Sequence, residues 1–109
     1  MAPLTAAVVH VLLALAGADR HGYGIQKEVF KQTDGRMRMG PGTLYGTLQR
    51  LMDQGWVEEV ERPRDIDERR RYYRLTRDGR HALTAEMERL DALVRIARAE
   101  RVVPDSPRG

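Results

Sequence analysis

The side chains that could perform catalysis or hold a metal are few in this sequence, and their spacing suits neither task. Cysteine is absent, which excludes disulfides, thiolate ligands and thiol nucleophiles. No two of the three histidines have the i, i+4 spacing that places two ligands on one face of a helix. The single serine, Ser106, lies near the C-terminus, and the stretch GPGTLYG lacks the lysine of a phosphate-binding loop. We therefore expect no enzyme, no metal and no cofactor.

The residues with a recognisable chemistry are arginines. The 109-residue chain has 19 basic and 16 acidic residues, and its net charge of +3 permits nucleic-acid binding without requiring it. Six arginines lie between Arg62 and Arg74, and Arg69, Arg70 and Arg71 are consecutive. The guanidinium fork matches the geometry of phosphate, although a charge run is also typical of a solvated surface. Whether these arginines bind phosphate or only face solvent depends on the secondary-structure elements that carry them.

A second polar surface lies on the helix predicted from Pro41 to Gln54. Leu44, Leu48 and Leu51 repeat at helical spacing and form its buried face. The outer side near the N-terminus carries glycines, hydroxyls and an amide where a solvated helix usually has Glu and Lys. Hydroxyls can donate to phosphates, and Gln and Arg can hydrogen-bond to adenine and guanine edges. The candidate DNA contacts are therefore Thr43, Tyr45, Gln49 and Arg50, together with the arginines Arg69, Arg70 and Arg71.

The order of predicted elements indicates one mainly α-helical chain with a small β-hairpin. Helices are expected at 4–16, 22–33, 41–54 and 76–101, and alternating residues around 56–61 and 70–76 predict the two strands. This order fits a winged helix-turn-helix with an added long C-terminal helix. We expect a DNA-binding domain at 1–75, a dimerisation helix at 76–103 and a flexible tail at 104–109. A projecting hairpin rich in arginine favours DNA binding over a merely solvated surface.

Two helices carry further predictions. In the helix at 22–33, Ile25, Val29 and Phe30 are expected to form the apolar stripe, with Gln26 and Lys27 facing away. The apolar stretch at 4–16 is expected to be a central buried helix. A signal peptide is the alternative, but no basic residue precedes the apolar run, which is also too short to span a membrane. We therefore expect a cytoplasmic protein with no membrane partner.

The last helix carries a heptad seam with spacings of 4, 3, 4 and 3. Leu93 and Ile96 widen this apolar surface beyond one seam, and a small domain cannot easily cover all of it. The pattern predicts a homodimer, and the alternative is a helix that lies along its own domain. The predicted dimerisation residues are Leu83, Met87, Leu90, Val94 and Ala97.

Three motifs together resemble the PadR-type bacterial transcriptional regulators: HGYGI at 21–25, GTLYGTLQRLMDQGWVE at 42–58 and RRRYYRLTRDG at 69–79. The resemblance covers about residues 6–90. It implies a winged-helix homodimer that usually represses transcription at palindromic operators. It also implies that Thr43 to Tyr45 begin the recognition helix and that 69–73 form the wing. The single C-terminal helix is similar to the short branch of the family.

The sequence hypothesis is a DNA-binding repressor that acts as a homodimer on double-stranded DNA. The resemblance adds a small-molecule effector as an option, because some family members hold planar aromatic ligands at the dimer centre. Residues 76–109 contain no Phe, Trp or Tyr, which disfavours such a pocket here. The alternative function is a protein-interaction adaptor that dimerises through its last helix without binding DNA.

Overall fold

The structure, a computed structural model, describes residues 3–61 and 71–104 and is mainly helical, as predicted. Within these residues four helices accompany one small antiparallel sheet, which is the expected winged helix-turn-helix with a long C-terminal helix. The predicted tail beyond Pro104 and the loop at 62–70 lie outside the described residues. The elements are α1 (Ala6–Gly17), β1 (Arg20–His21), α2 (Gly22–Gln32), α3 (Pro41–Asp53), β2 (Val57–Val60), β3 (Tyr72–Leu75) and α4 (Arg77–Ala99).

The sheet has three strands in the order β1-β3-β2, where the sequence predicted only a hairpin. The third strand consists of Arg20 and His21, which pair antiparallel with Tyr73 and Tyr72 of the wing. A two-residue strand is too short to give an alternating pattern, so only its partner in space reveals it. Outside the strand itself, Asp19 receives two hydrogen bonds from Arg74, at 3.0 Å from Nη2 and 3.2 Å from Nε.

Helix α1 lies at the centre of the hydrophobic core, in agreement with the expectation from its apolar composition. It contacts α2, β3 and α4. Leu44, Leu48 and Leu51 of α3 are buried in the same core, which confirms the predicted buried face of that helix. Because one side of α3 is held in this way, the opposite side is left on the surface. His10, half-buried on α1, is satisfied by a hydrogen bond between its Nδ1 and Gln32 Oε1 at 2.8 Å.

Residues at the base of the wing connect the end of α3 to α4. Thr76 caps α4, since its Oγ1 accepts the N–H of Gly79 at 3.0 Å and donates to the carbonyl of Gly55 at 2.6 Å. Gly55 has a φ of +81°, which explains why α3 stops there. A Cβ atom on Gly79 would overlap the carbonyl oxygen of Trp56, so glycine permits the close approach of β2 and α4. Trp56 packs half-buried at this junction.

The apolar seam of α4 divides into two halves with different surroundings. Leu83 is buried in the core and Met87 packs partly buried against it, so the first half lies along its own domain. Further on, Leu93 is 53% exposed and Ile96 is 62% exposed. The division of the chain at residue 75 stays a prediction, although Leu83 makes the start of α4 part of the same core.

Tyr45 of α3 packs against Gly22 at the start of α2. A Cβ atom on Gly22 would overlap the hydroxyl oxygen of Tyr45 and lie 2.8 Å from its Cζ. Gly22 is buried, whereas Tyr45 keeps 48% of its surface exposed. One edge of the Tyr45 ring therefore rests on α2 while the rest faces solvent. The absence of a side chain at Gly22 lets the two helices meet.

The Glu86 carboxylate is an acidic group buried between α4 and the N-terminal segment. Its Oε2 accepts a hydrogen bond from Arg89 Nη2 at 2.6 Å, and its side chain is only 7% exposed. The hydrogen bond from Arg89 lowers the pKa of Glu86 below its ordinary value of 4.5; burial opposes this shift, while the charge of Arg89 and the N–H of Leu4 reinforce it. The ionised carboxylate thus fastens the start of the chain to α4.

Replacing this carboxylate should give a pH-dependent loss of stability. Because the folded-state pKa of Glu86 is lowered, its contribution is fully present above about pH 4.5 and is lost as the pH falls through the folded pKa. We expect Glu86→Gln to lower the free energy of unfolding at pH 7 and to approach the wild type as the pH falls through the lowered folded-state pKa, measured by urea denaturation. Glu88→Gln, at an exposed position of α4, is the control. An equal deficit for Glu86→Gln at pH 7 and below the folded-state pKa would contradict this account.

The packing of Tyr45 on Gly22 can be measured by a double-mutant cycle. Gly22→Ala should lower the free energy of unfolding by about 1–3 kcal/mol, because the added methyl group overpacks the contact. In a Tyr45→Ala background the same change should cost much less. Gly46→Ala is the matched control, since a Cβ there meets no atom within 4 Å; it should stabilise by about 1 kcal/mol through helix propensity. Equal costs of Gly22→Ala in both backgrounds would rule out the contact.

Candidate nucleic-acid interface

The exposed face of α3 is bare around its N-terminal turns. A Cβ atom added at Gly40, Gly42 or Gly46 would meet no atom of residues 3–61 and 71–104 within 4 Å, so packing among the described residues does not require glycine at any of them. Gly40 caps the helix without a side-chain hydrogen bond, and Pro41 occupies its first turn. The first N–H groups of the helix are therefore open to a ligand, at the positive end of the helix dipole. A surface of this kind can approach an anionic backbone or a groove floor closely.

The predicted contact residues of α3 are all exposed, but they point in three directions. Gln49 lies on the same face as the two helical glycines, and its Nε2 donates to Asp53 Oδ1 at 3.0 Å. Tyr45 lies on the flank towards α2, resting on Gly22. On the other flank, Arg50 Nη2 donates to Oγ1 of the buried Thr47 at 3.5 Å. Thr43 shares that flank by helical geometry. The structure thus brings the outer face together and turns Arg50 away from its centre.

The wing contributes Arg71, whose side chain is 70% exposed and whose Nε lies 3.8 Å from Glu59 Oε2. Arg69 and Arg70 lie outside the described residues. Arg74, which belongs to the same arginine run, is instead paired with Asp19 and fastens β3 to the segment before β1. One arginine of the run therefore serves the sheet, while Arg71 remains available at the surface.

Tyr73 of β3 is buried in the core beneath the wing. It is 2% exposed, and burial raises its pKa, with smaller contributions from Tyr45 and Glu59. Tyr73 lies in the same hydrophobic core as Leu44, Leu48 and Leu51, so the wing and α3 share one core. The neutral phenol of Tyr73 places no charge in this core at physiological pH.

A cleft between α2 and the start of α3 was missed by the sequence reasoning. It has a volume of about 540 Å³ and includes Tyr23, Lys27, Phe30 and Arg38 in its lining. Arg38 lies 4.7 Å above the ring of Phe30, and Lys27 lies 5.3 Å above that of Tyr23. The lining contains no acidic side chain. The recurrence of Tyr23, Lys27 and Phe30 at i, i+4 and i+7 was the available signal.

Two predictions for α2 were wrong. Phe30 was assigned to the buried stripe, but it is 37% exposed because it stacks under Arg38 at the surface, leaving Ile25 and Val29 to fill the core. Gln26 was expected to face solvent. Its Nε2 instead donates to the backbone carbonyl of Met39 at 2.8 Å, because the link between α2 and α3 folds back over it.

Other site chemistry is limited in the described part of the chain. Residues 3–61 and 71–104 contain no group of three or more His, Cys, Asp or Glu side chains that could hold a metal ion. Among these residues, no helix combines the length and the apolar character needed to cross a bilayer.

Known proteins resemble this chain over most of its length. Transcriptional regulator Rv3488 of Mycobacterium tuberculosis is 39% identical over 88 residues, which cover 80% of this chain and 78% of that protein. A transcriptional regulator structure from Clostridium thermocellum has a TM-score of 0.71 and 25% identity, covering 84% of this chain and 89% of that one. Bacillus subtilis PadR, solved in complex with operator DNA, has a TM-score of 0.67 over 79% of this chain and 48% of its own. At 19% identity, this last likeness shows the fold alone.

The family match agrees with the motifs and with the winged-helix architecture. The model of the transcriptional regulator PadR-like family matches residues 11–85, from α1 into α4. This range includes α3, the wing and the α2 motif whose Gly22 receives Tyr45. With its fold, its motifs and a relative of similar length in agreement, this chain belongs to the PadR-like family of transcriptional regulators.

Proposed function

We propose that this chain is a sequence-specific DNA-binding regulator that acts as a homodimer and represses transcription by occupying a palindromic operator. The observation that carries the proposal is the outer face of α3. Leucines hold one side of the helix in the core, while the other side presents open N–H groups, Gly42 and Gly46 without neighbouring atoms, and exposed polar side chains. A helix that only faced solvent would usually carry Glu and Lys side chains on this side.

In this proposal the N-terminal half of α3 enters the major groove. The two helical glycines leave room for the groove floor, and Gln49 supplies a donor and an acceptor for a base edge once it exchanges Asp53 for a base. Thr43 and Tyr45 donate to phosphates on either side. The solved complex of Bacillus subtilis PadR with operator DNA supports this use of the fold.

Cationic groups on both sides of α3 are proposed to hold the DNA backbone. Lys27 and Arg38 lie on the α2 side, in a cleft whose lining contains no carboxylate. The same cleft extends to Gly40 and Pro41 at the start of α3. On the other side the wing supplies Arg71, with Arg69 and Arg70 beside it in the sequence. Contacts of this type add affinity and fix the register without selecting a sequence.

The second half of α4 is proposed to form the homodimer. Leu90 is half-buried and Val94 is 38% exposed, next to the more exposed Leu93 and Ile96. Paired helices would set the two recognition helices about one turn of DNA apart, roughly 34 Å, so a palindromic operator follows from the symmetry. Binding the chromosome also implies a cytoplasmic protein.

Replacing Arg69, Arg70 and Arg71 together with alanine should weaken binding to all DNA sequences. Each arginine that neutralises a phosphate contributes roughly one unit to the salt dependence of binding, so the slope of log K against log salt should flatten by about one to three units. Gel shifts at several salt concentrations, with fragments from upstream of the protein's own gene, measure both effects.

The control for the wing experiment is Arg80→Ala, an exposed arginine of α4 outside the proposed interface. It should leave the slope unchanged. A triple variant with the wild-type slope would remove the wing from the interface. If the wild type shifts no fragment at all, the adaptor that dimerises without binding DNA becomes the better account.

Introducing charge on the exposed half of α4 should break the dimer. The double change Leu93→Asp and Ile96→Asp places two carboxylates on the apolar face and should give a monomer in light scattering at micromolar concentration, whereas the wild type should give a dimer. Val102→Asp is the control, since Val102 is a highly exposed apolar residue beyond the end of α4. A wild type that is monomeric at this concentration would contradict the proposed dimer.

A further inference from the structure

A second cleft lies between the N-terminal segment and the flank of α3 that carries Arg50. Its volume is about 430 Å³, which falls within the usual range for small-molecule sites. Leu4, Val8 and Leu51 provide aliphatic walls, and Trp56 lines the cleft as well. This cleft is separate from the one beside α2, because the two have no lining residue in common.

The polar groups that matter in this cleft are Arg50 and Thr47, one helical turn apart on α3. Thr47 is 2% exposed, and its Oγ1 accepts the hydrogen bond from Arg50. Within residues 3–61 and 71–104 the Thr47 hydroxyl makes no hydrogen bond as a donor. In the same ranges no carboxylate lies within ion-pair distance of Arg50. A buried hydroxyl proton and an uncompensated guanidinium therefore line one apolar cleft.

This pair of donors selects the charge and the shape of a ligand. A guanidinium and a hydroxyl can together satisfy a carboxylate, and charge-assisted hydrogen bonds of this kind are stronger than neutral ones. The aliphatic walls favour an apolar body and offer no partner for a second charge. We infer that the cleft binds a small monocarboxylate with an aliphatic body, whose carboxylate engages Arg50 and Thr47 while its chain lies against Leu4, Val8 and Trp56.

The consequence for regulation rests on the proposed function. Arg50 is one of the DNA contacts predicted from the sequence, so a ligand that holds its guanidinium inside the cleft would remove it from the DNA. Leu4 lines the cleft and its N–H hydrogen-bonds to Glu86 of α4, which connects the cleft to the helix of the proposed dimer. Both routes lead to weaker operator binding in the presence of the ligand.

Trp56 is the only tryptophan in the chain, so intrinsic fluorescence reports directly on this cleft. Octanoate, titrated into the full-length protein without DNA and kept below its micelle concentration, should change the emission with a saturable curve. Octanamide has the same body without the charge and should bind about tenfold more weakly or worse, since the loss of one charge-assisted contact is worth that factor.

Variants of Arg50 and Thr47 distinguish a specific carboxylate site from nonspecific electrostatic attraction to the protein. Arg50→Met and Thr47→Val should each weaken octanoate binding, by about tenfold for the arginine and several-fold for the threonine. Arg80→Met removes an equal charge elsewhere and should bind octanoate as the wild type does. The proposal is overturned if octanoate gives no saturable change, if octanamide binds equally well, or if Arg50→Met retains wild-type affinity.

Gel shifts with the protein's own upstream DNA then test the regulatory consequence. Octanoate should weaken the shift of the wild type by several-fold and leave the residual affinity of Arg50→Met unchanged. Saturable fluorescence without any DNA shift would overturn the proposed function and leave the carboxylate site standing. A DNA shift without saturable fluorescence would support the proposed function and overturn the carboxylate site. Saturable octanoate binding that leaves the DNA shift unchanged would overturn the coupling between the two.

Discussion

The burial of three leucines on one side of α3 is the constraint on which the rest of the structure depends. Leu44, Leu48 and Leu51 fix both the rotation and the depth of the helix, because all three lie in the core that α1 organises. A helix held so firmly on one side exposes the same residues on the other in every molecule. That is the physical requirement for a surface that must match a groove, and it explains why the glycines opposite the leucines are tolerated.

The two flanks of α3 have different supports, which suit the two roles proposed for the helix. On one flank Tyr45 rests on Gly22, so α2 holds it in place. On the other flank Arg50 is the exposed partner of a buried threonine at the edge of a cleft. A rigid flank suits recognition, whereas an arginine with no carboxylate partner in the described residues can respond to a ligand.

Helix α4 combines domain packing and proposed association along one apolar seam. Leu83 completes the core of the winged domain, and the exposed Leu93 and Ile96 follow further along the same helix. In the first half of the helix Glu86 accepts a hydrogen bond from Arg89, and the N–H of Leu4 also contributes to its lowered pKa. The proposed ligand cleft, α3 and the helix of the proposed dimer therefore lie close together in this small domain.

Much of this protein was determined by local patterns in the sequence. The leucine spacing of α3, the cap at Thr76 and the stop at Gly55 all depend on residues close in the chain. The PadR motifs also identified the family. The third strand, the exposure of Phe30, the pairing of Arg74 with Asp19, the seat of Tyr45 on Gly22 and the direction of Arg50 depend on residues far apart in sequence. Only the tertiary structure decided these, because helical and strand periodicity assign a residue to a face but do not specify its partner across the fold.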